Sequence, residues 1–168
     1  MSLAANVESL SGALPAISFR WDAETEILAG HFTGANKAGG LTGSVELEGS
    51  DGSFVVLDVA QGVVQGLEIV VWPPVETVSS LKVPAPKERG KLTMPARRSQ
   101  PDIAAVEVET AISAEKTPDE STIHLRVGQK RPVTVTQLAD NLILESDSKG
   151  IIAGFWLLNI PPFPVPSQ

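Results

Sequence analysis

The sequence predicts an all-β protein built from two similar antiparallel meander sheets that pack against each other as a pseudo-twofold internal dimer. Three observations carry this expectation. Val, Ile and Leu recur in short runs punctuated by glycine and proline, the pattern of strands joined by turns. No window longer than about a dozen residues sustains helical spacing. The stretch GVVQGLEIVVWPPV (62–75) also returns as GIIAGFWLLNIPPF (150–163). Aligned without a gap, Val63, Val64, Gly66, Leu67, Ile69, Val70, Pro73 and Pro74 fall on Ile151, Ile152, Gly154, Phe155, Leu157, Leu158, Pro161 and Pro162.

In chain order, residues 1–16 read as an N-terminal arm and 17–75 as a first β copy. Its strands are ISFRW (17–21), EILAGHFT (26–33), GSVELEG (43–49), FVVLDV (54–59) and the repeated apolar run, with Ser50-Asp51-Gly52-Ser53 as a turn. Gly62 belongs in the next turn, where a positive φ is needed and a Cβ is penalised. Pro73-Pro74 end the strand because proline offers no N–H to a ladder. Residues 76–102 read as a basic, proline-rich linker. The second copy spans 103–162, with IAAVEVETAIS (103–113), TIHLRVG (122–128), PVTVTQL (132–138), LILES (142–146) and the run that stops at Pro161-Pro162. FVVLD (54–58) matches LILES at the same offset, or slides by one so that Asp58 meets Glu145; the intervening turn then differs by one residue. The tail, 163–168, favours an extended polyproline-like path from which Phe163 could latch onto a neighbour.

A meander of about 55 residues buries little of its surface and is marginal by itself. The strands VVQGLEIVVW and IIAGFWLLNI are apolar on both alternate faces, so one face needs a second partner, supplied by the sister copy. A single-copy relative would meet the same need as a homodimer, whose twofold contact a duplication makes internal.

Composition narrows the function classes. With 168 residues, 42% apolar content and no cysteine, the chain can form a core but has no disulfide, thiolate nucleophile or sulfur-type zinc site. A net charge of −7 argues against coating nucleic acid with the whole surface. The opening MSLAANVESL lacks a basic region ahead of its apolar positions, and the run Ile151–Ile160 is well short of the ~20 residues that span a bilayer as a helix. These features predict a soluble, cytoplasmic protein with no membrane partner.

Two motifs carry a resemblance. WDAETEIL (21–28), and then Val55-Val56-Leu57-Asp58 followed by Gly62, Val64, Gly66, Leu67, Glu68 and Ile69, are similar to the opening and the closing hairpin of a widespread group of short bacterial domains of unknown function. That resemblance covers most of 17–72. In the second half only 141–158 fits, and Trp156 stands where the closing hairpin has its acid. It implies tandem, diverged copies of one domain and names no reaction.

The candidate catalytic acids are Asp22, Glu24, Asp58 and Glu68 of the first copy, since converging carboxylates can do acid–base work or hold a hard cation. Asp22, Glu24 and Glu26 also suit a solvated turn, and Glu68, which interrupts an apolar strand, calls for a partner such as Arg20. In the linker, Lys87, Arg89, Lys91, Arg97 and Arg98 form a candidate binding strip for RNA, DNA or an acidic protein, although no aromatic residue is interleaved for base stacking. His31 and His124 show no His-x-His or His-Glu-x-x-His spacing, so no metal or cofactor is expected. Lys37 in TGANKAGGLTG (33–43) could approach an anion, but no helix start follows to cradle phosphate. Trp72 and Trp156 suit core packing or the contact between copies. The expected function is a non-enzymatic binding or assembly module with a protein partner or a second copy of itself. The alternatives are an enzyme using the first copy's acids, or nucleic-acid binding through the linker.

Overall fold

The computed structural model describes residues 6–10, 12–33, 42–94 and 103–164. All regular structure among them is strand: β1 (Asn6–Ser9), β2 (Ala16–Trp21), β3 (Leu28–Thr33), β4 (Thr42–Glu48), β5 (Phe54–Ala60), β6 (Val63–Val71), β7 (Val75–Thr77), β8 (Glu88–Thr93), β9 (Ile103–Glu109), β10 (Ile112–Lys116), β11 (Ile123–Val127), β12 (Val133–Ala139), β13 (Leu142–Asp147) and β14 (Ile152–Leu157). The fold is all-β. Among the described residues no helix is long and apolar enough to cross a membrane.

Neither half is a simple meander. The first half runs β2-β3-β6-β5-β4 and the second β10-β11-β14-β13-β12, with every neighbouring pair antiparallel. A hairpin is followed by three meandering strands, the last of which returns to the hairpin. Burial explains the change: β6 and β14 carry long apolar runs set in the core, and such a strand needs bonded neighbours on both edges to satisfy its N–H and C=O groups. Each half also carries a bulge at the same place. Pairing shifts after Asp58, which faces Gly66, and after Glu145, which faces Gly154. Asp58 and Glu145 are therefore corresponding positions, and the turns beyond them differ. Gln61 and Gly62 both have positive φ, 48° and 82°, as a two-residue hairpin loop requires. The longer second turn uses Gly150 at φ 73° and Asp147, whose Oδ1 accepts from the N–H groups of Lys149 and Ile151.

The run 103–113, expected as one strand of the second half, is broken at Thr110-Ala111. Its first part, β9, pairs parallel with β4 of the first half from Thr42↔Ile103 to Glu48↔Glu109. The expected linker is likewise part of the sheet. β7 pairs parallel with β10, while β8 pairs parallel with β12 and antiparallel with β1 of the N-terminal arm, and meets β6 at Val63↔Thr93. The result is one curled, mixed sheet in place of two separate antiparallel ones. Unpaired edges account for this, because β4, β10 and β12 would otherwise present open rows of N–H and C=O groups.

Alternation decides which side chains meet. Along β5, Val55, Leu57 and Val59 point inward, while Phe54, Val56, Asp58 and Ala60 line the outer face. The inward residues of both halves form one hydrophobic cluster, including Phe19, Leu28, Leu57, Leu67 and Ile69 with Leu125, Leu144, Phe155 and Leu157. Each such side chain contributes about 1.5–3 kcal/mol when fully buried. A smaller cluster, Val135, Ile143 and Trp156, lies on the outer face of the second half, with Leu81 packed on it. Thus the segment between β7 and β8 shields that outer face. Further ties join the halves: Asn141 Nδ2 donates to Ile17 O, and Trp21 Nε1 donates to Pro161 O. Trp21 stacks on Trp72 and makes an edge-to-face contact with Phe163, so Phe163 packs against the first half.

Candidate functional site

Two adjacent cross-strand rows build a polar site on the outer face of the first half. One row runs Ser18, His31, Gly66, Asp58, Ser44 from β2 to β4; the other runs Arg20, Ala29, Glu68, Val56, Glu46. Gly66 stands between His31 and Asp58 in the first row and has no Cβ, so the His31 ring lies over its backbone. A Cβ there would lie 2.7 Å from His31 Nδ1 and 2.6 Å from Gly30 O, closer than real contacts allow. Glycine is what admits the imidazole. One ligating atom from each of His31, Asp58 and Glu68 lies within 4.8 Å of the others, and His31 Nε2 is 3.8 Å from Glu68 Oε1. The side chains of His31 and Glu68 are 59% and 32% exposed, so the cluster opens to solvent.

The second half uses the same rows differently. Ser113, Arg126, Gly154, Glu145 and Val135 form one, and Glu115, His124, Trp156, Ile143 and Gln137 the other. Here the acid keeps its place beside the glycine, but the imidazole has moved one row, and Trp156 occupies the position of Glu68. His124 stacks on Trp156 with ring centroids 4.1 Å apart and planes at 12°. Its Nε2 is hydrogen-bonded with Glu145 Oε1 at 2.5 Å, and its Nδ1 lies 3.4 Å from Glu115 Oε1. Arg126 adds a contact to Glu115 at 3.6 Å. The His124 and Glu145 side chains are 7% and 11% exposed. Trp156 Nε1 is buried with no hydrogen-bond partner among the described residues. Beside this pair, a pocket of about 240 Å³ is lined by Arg126, Lys130, Arg131 and Val133. Arg131 itself is held by Asp147 Oδ2 and by the carbonyls of Val127, Gln129 and Ile152.

The four candidate acids do not form one group. Asp58 and Glu68 meet, joined by His31, whereas Asp22 and Glu24 stay in the exposed β2–β3 turn. Backbone N–H groups of Glu24 and Thr25 bond to Asp22 Oδ1 and hold that carboxyl below the usual range. Among the described residues Arg20 forms no ion pair with Glu68, and His31 stands there instead. Sequence reasoning missed His31 because its partners are 27 and 37 residues further along the chain, on β5 and β6. The only forewarning in sequence was a histidine and two acids, each placed on the polar face of an alternating strand.

Of the basic strip, Lys87 and Arg89 are exposed beside or on β8, and Lys91 pairs with Glu8 at 3.2 Å. Arg97 and Arg98 lie outside the described residues, as does Lys37. An apolar cavity of about 270 Å³ lies near Lys91, lined by Leu10, Leu14, Phe32, Val64, Leu92 and Leu138. Another, of about 340 Å³, lies beside Trp21, Trp72 and Phe163. No family model matches this chain, and a search of curated proteins returns no match to it.

Proposed function

We propose that this protein is a non-enzymatic binding module, a duplicated domain fused into a pseudo-twofold internal dimer, whose ligand face is the open outer surface of the first half. Shared strand order and the bulge shared by Asp58 and Glu145 support the duplication. The resemblance of WDAETEIL and of the closing hairpin to short bacterial domains fits the same origin. One observation carries the functional reading: the second half holds its histidine buried, stacked on Trp156 and against Glu145, whereas at the corresponding place on the first half His31, Asp58 and Glu68 converge on a face open to solvent. The second half then serves as scaffold, and the first half meets the partner.

Catalysis by the candidate acids is less well supported, because Asp22 and Glu24 are engaged in their own turn, apart from Asp58 and Glu68. Binding of nucleic acid through β8 is weakened by the pairing of Lys91 with Glu8. A thermal-shift and hydrogen-exchange screen of the full chain decides among these, using divalent cations, inorganic phosphate, mononucleotides and a short single-stranded RNA. The expected result is stabilisation that maps to β3, β5 and β6, disappears in the triple variant His31→Ala, Asp58→Asn, Glu68→Gln, and leaves the probe chemically unchanged. Stabilisation that survives that variant, or protection by RNA that is lost with Lys87→Ala and Arg89→Ala, overturns the reading.

A further inference from the structure

The geometry points to a binding site for one divalent transition-metal ion of the zinc class at His31, Asp58 and Glu68, an inference that rests on the open face described above and gives it a ligand. The donor set is one imidazole nitrogen and two carboxylate oxygens, the types that zinc accepts at about 2.0–2.2 Å. Donors around such an ion stand about 3.4 Å apart in a tetrahedron. Atoms already within 4.8 Å reach that spacing by small rotations, and exposed side chains such as His31 and Glu68 make them freely.

Charge points the same way. Among the described residues neither Asp58 nor Glu68 forms an ion pair with Lys or Arg. Two carboxylates brought this close repel each other unless a cation or proton lies between them, and a 2+ ion matches their combined charge. His31 supplies a nitrogen that favours a transition metal over calcium or magnesium, which take oxygen ligands. Gly66, lacking a Cβ, lets the His31 ring lie over its backbone on the row that carries Asp58. Three protein ligands on an exposed face leave at least one coordination position for water or for an acidic group of a partner. The second half has no equivalent capacity: Trp156 replaces one ligand, and His124 already spends Nε2 on Glu145.

The test uses the full chain, freed of metal by a chelator and titrated with Zn²⁺ by calorimetry and with Co²⁺ by visible absorption. One ion per chain is expected, with the His31 ring resonances shifting on binding. His31→Ala, Asp58→Asn and Glu68→Gln should each weaken binding ~10-fold or more, while Glu46→Gln, which removes an acid elsewhere on the same face, should leave it unchanged. All three positions are at least partly exposed, so unchanged melting temperatures of the metal-free variants verify folding. Absent binding, or equal affinity in His31→Ala and the native chain, overturns the metal site. If phosphate or a mononucleotide still binds in a way the triple variant abolishes, the metal proposal falls and the ligand face stands. Ligands indifferent to the triple variant remove both.

Discussion

The sites over Gly66 and Gly154 share strands, register and a bulge, yet one exposes its imidazole and the other buries it. A two-residue difference in where histidine sits along β3 and β11, together with Glu68 in one half and Trp156 in the other, separates them. Two halves with the same strand order thus treat the same place on the sheet in opposite ways. An indole beside the glycine gives a histidine a ring to stack on and excludes water, turning a polar surface site into part of the interior. A carboxylate in the same place keeps the surface wet and available.

The largest effect should come from separating the halves. Residues 1–80 expressed alone would expose the inward faces of β5 and β6, which belong to one core with Phe155 and Leu157; the expected amide spectrum is poorly dispersed, and a well-dispersed monomer would break the comparison at its root. Next, Glu145→Ala removes the partner of the buried His124 Nε2 and should cost about 1–3 kcal/mol by denaturant unfolding. The corresponding Asp58→Asn, made on the open side, should change metal-free stability by no more than about 0.5 kcal/mol, and toward greater stability because it relieves carboxylate repulsion. Equal costs would mean that both sites are structural.

A smaller effect concerns pH. The Ile151 N–H bond, assisted by Arg131 and the Lys149 N–H, holds the Asp147 carboxyl below the usual aspartate value. A group so depressed stabilises the fold above its unfolded pKa and loses that contribution as pH falls through the folded value. Asp147→Asn should therefore lower the melting temperature at pH 7, and the gap to the native chain should shrink as pH drops below about 4. Trp156→Phe removes a buried N–H that has no acceptor among the described residues and should cost about 1 kcal/mol or less. A much larger loss would show that the indole's stacking area on His124 dominates.

The strands themselves were legible. Runs ending at Pro73-Pro74 and Pro161-Pro162, and glycine in each turn, encode their own boundaries through backbone chemistry that needs no distant partner. The possible one-residue slide that brings Asp58 onto Glu145 was also visible, and the register realises it. Lateral order was not legible. Alternation says whether a side chain such as Leu57 points inward or outward, never which strand lies beside it, and the parallel pairing of β9 with β4 leaves no local mark. The same limit hid His31, whose meaning depends on a register uniting β3, β5 and β6.

β8 and β9 come late in the chain but complete early neighbours, since β9 seals the edge of β4 and β8 links β6 to β12. During synthesis the first half therefore emerges with an adhesive border, and cannot shield it until residue 109 has left the ribosome. Until β9 arrives, the free edge of β4 is open to pairing with another chain, the hazard that unpaired strand edges carry during folding.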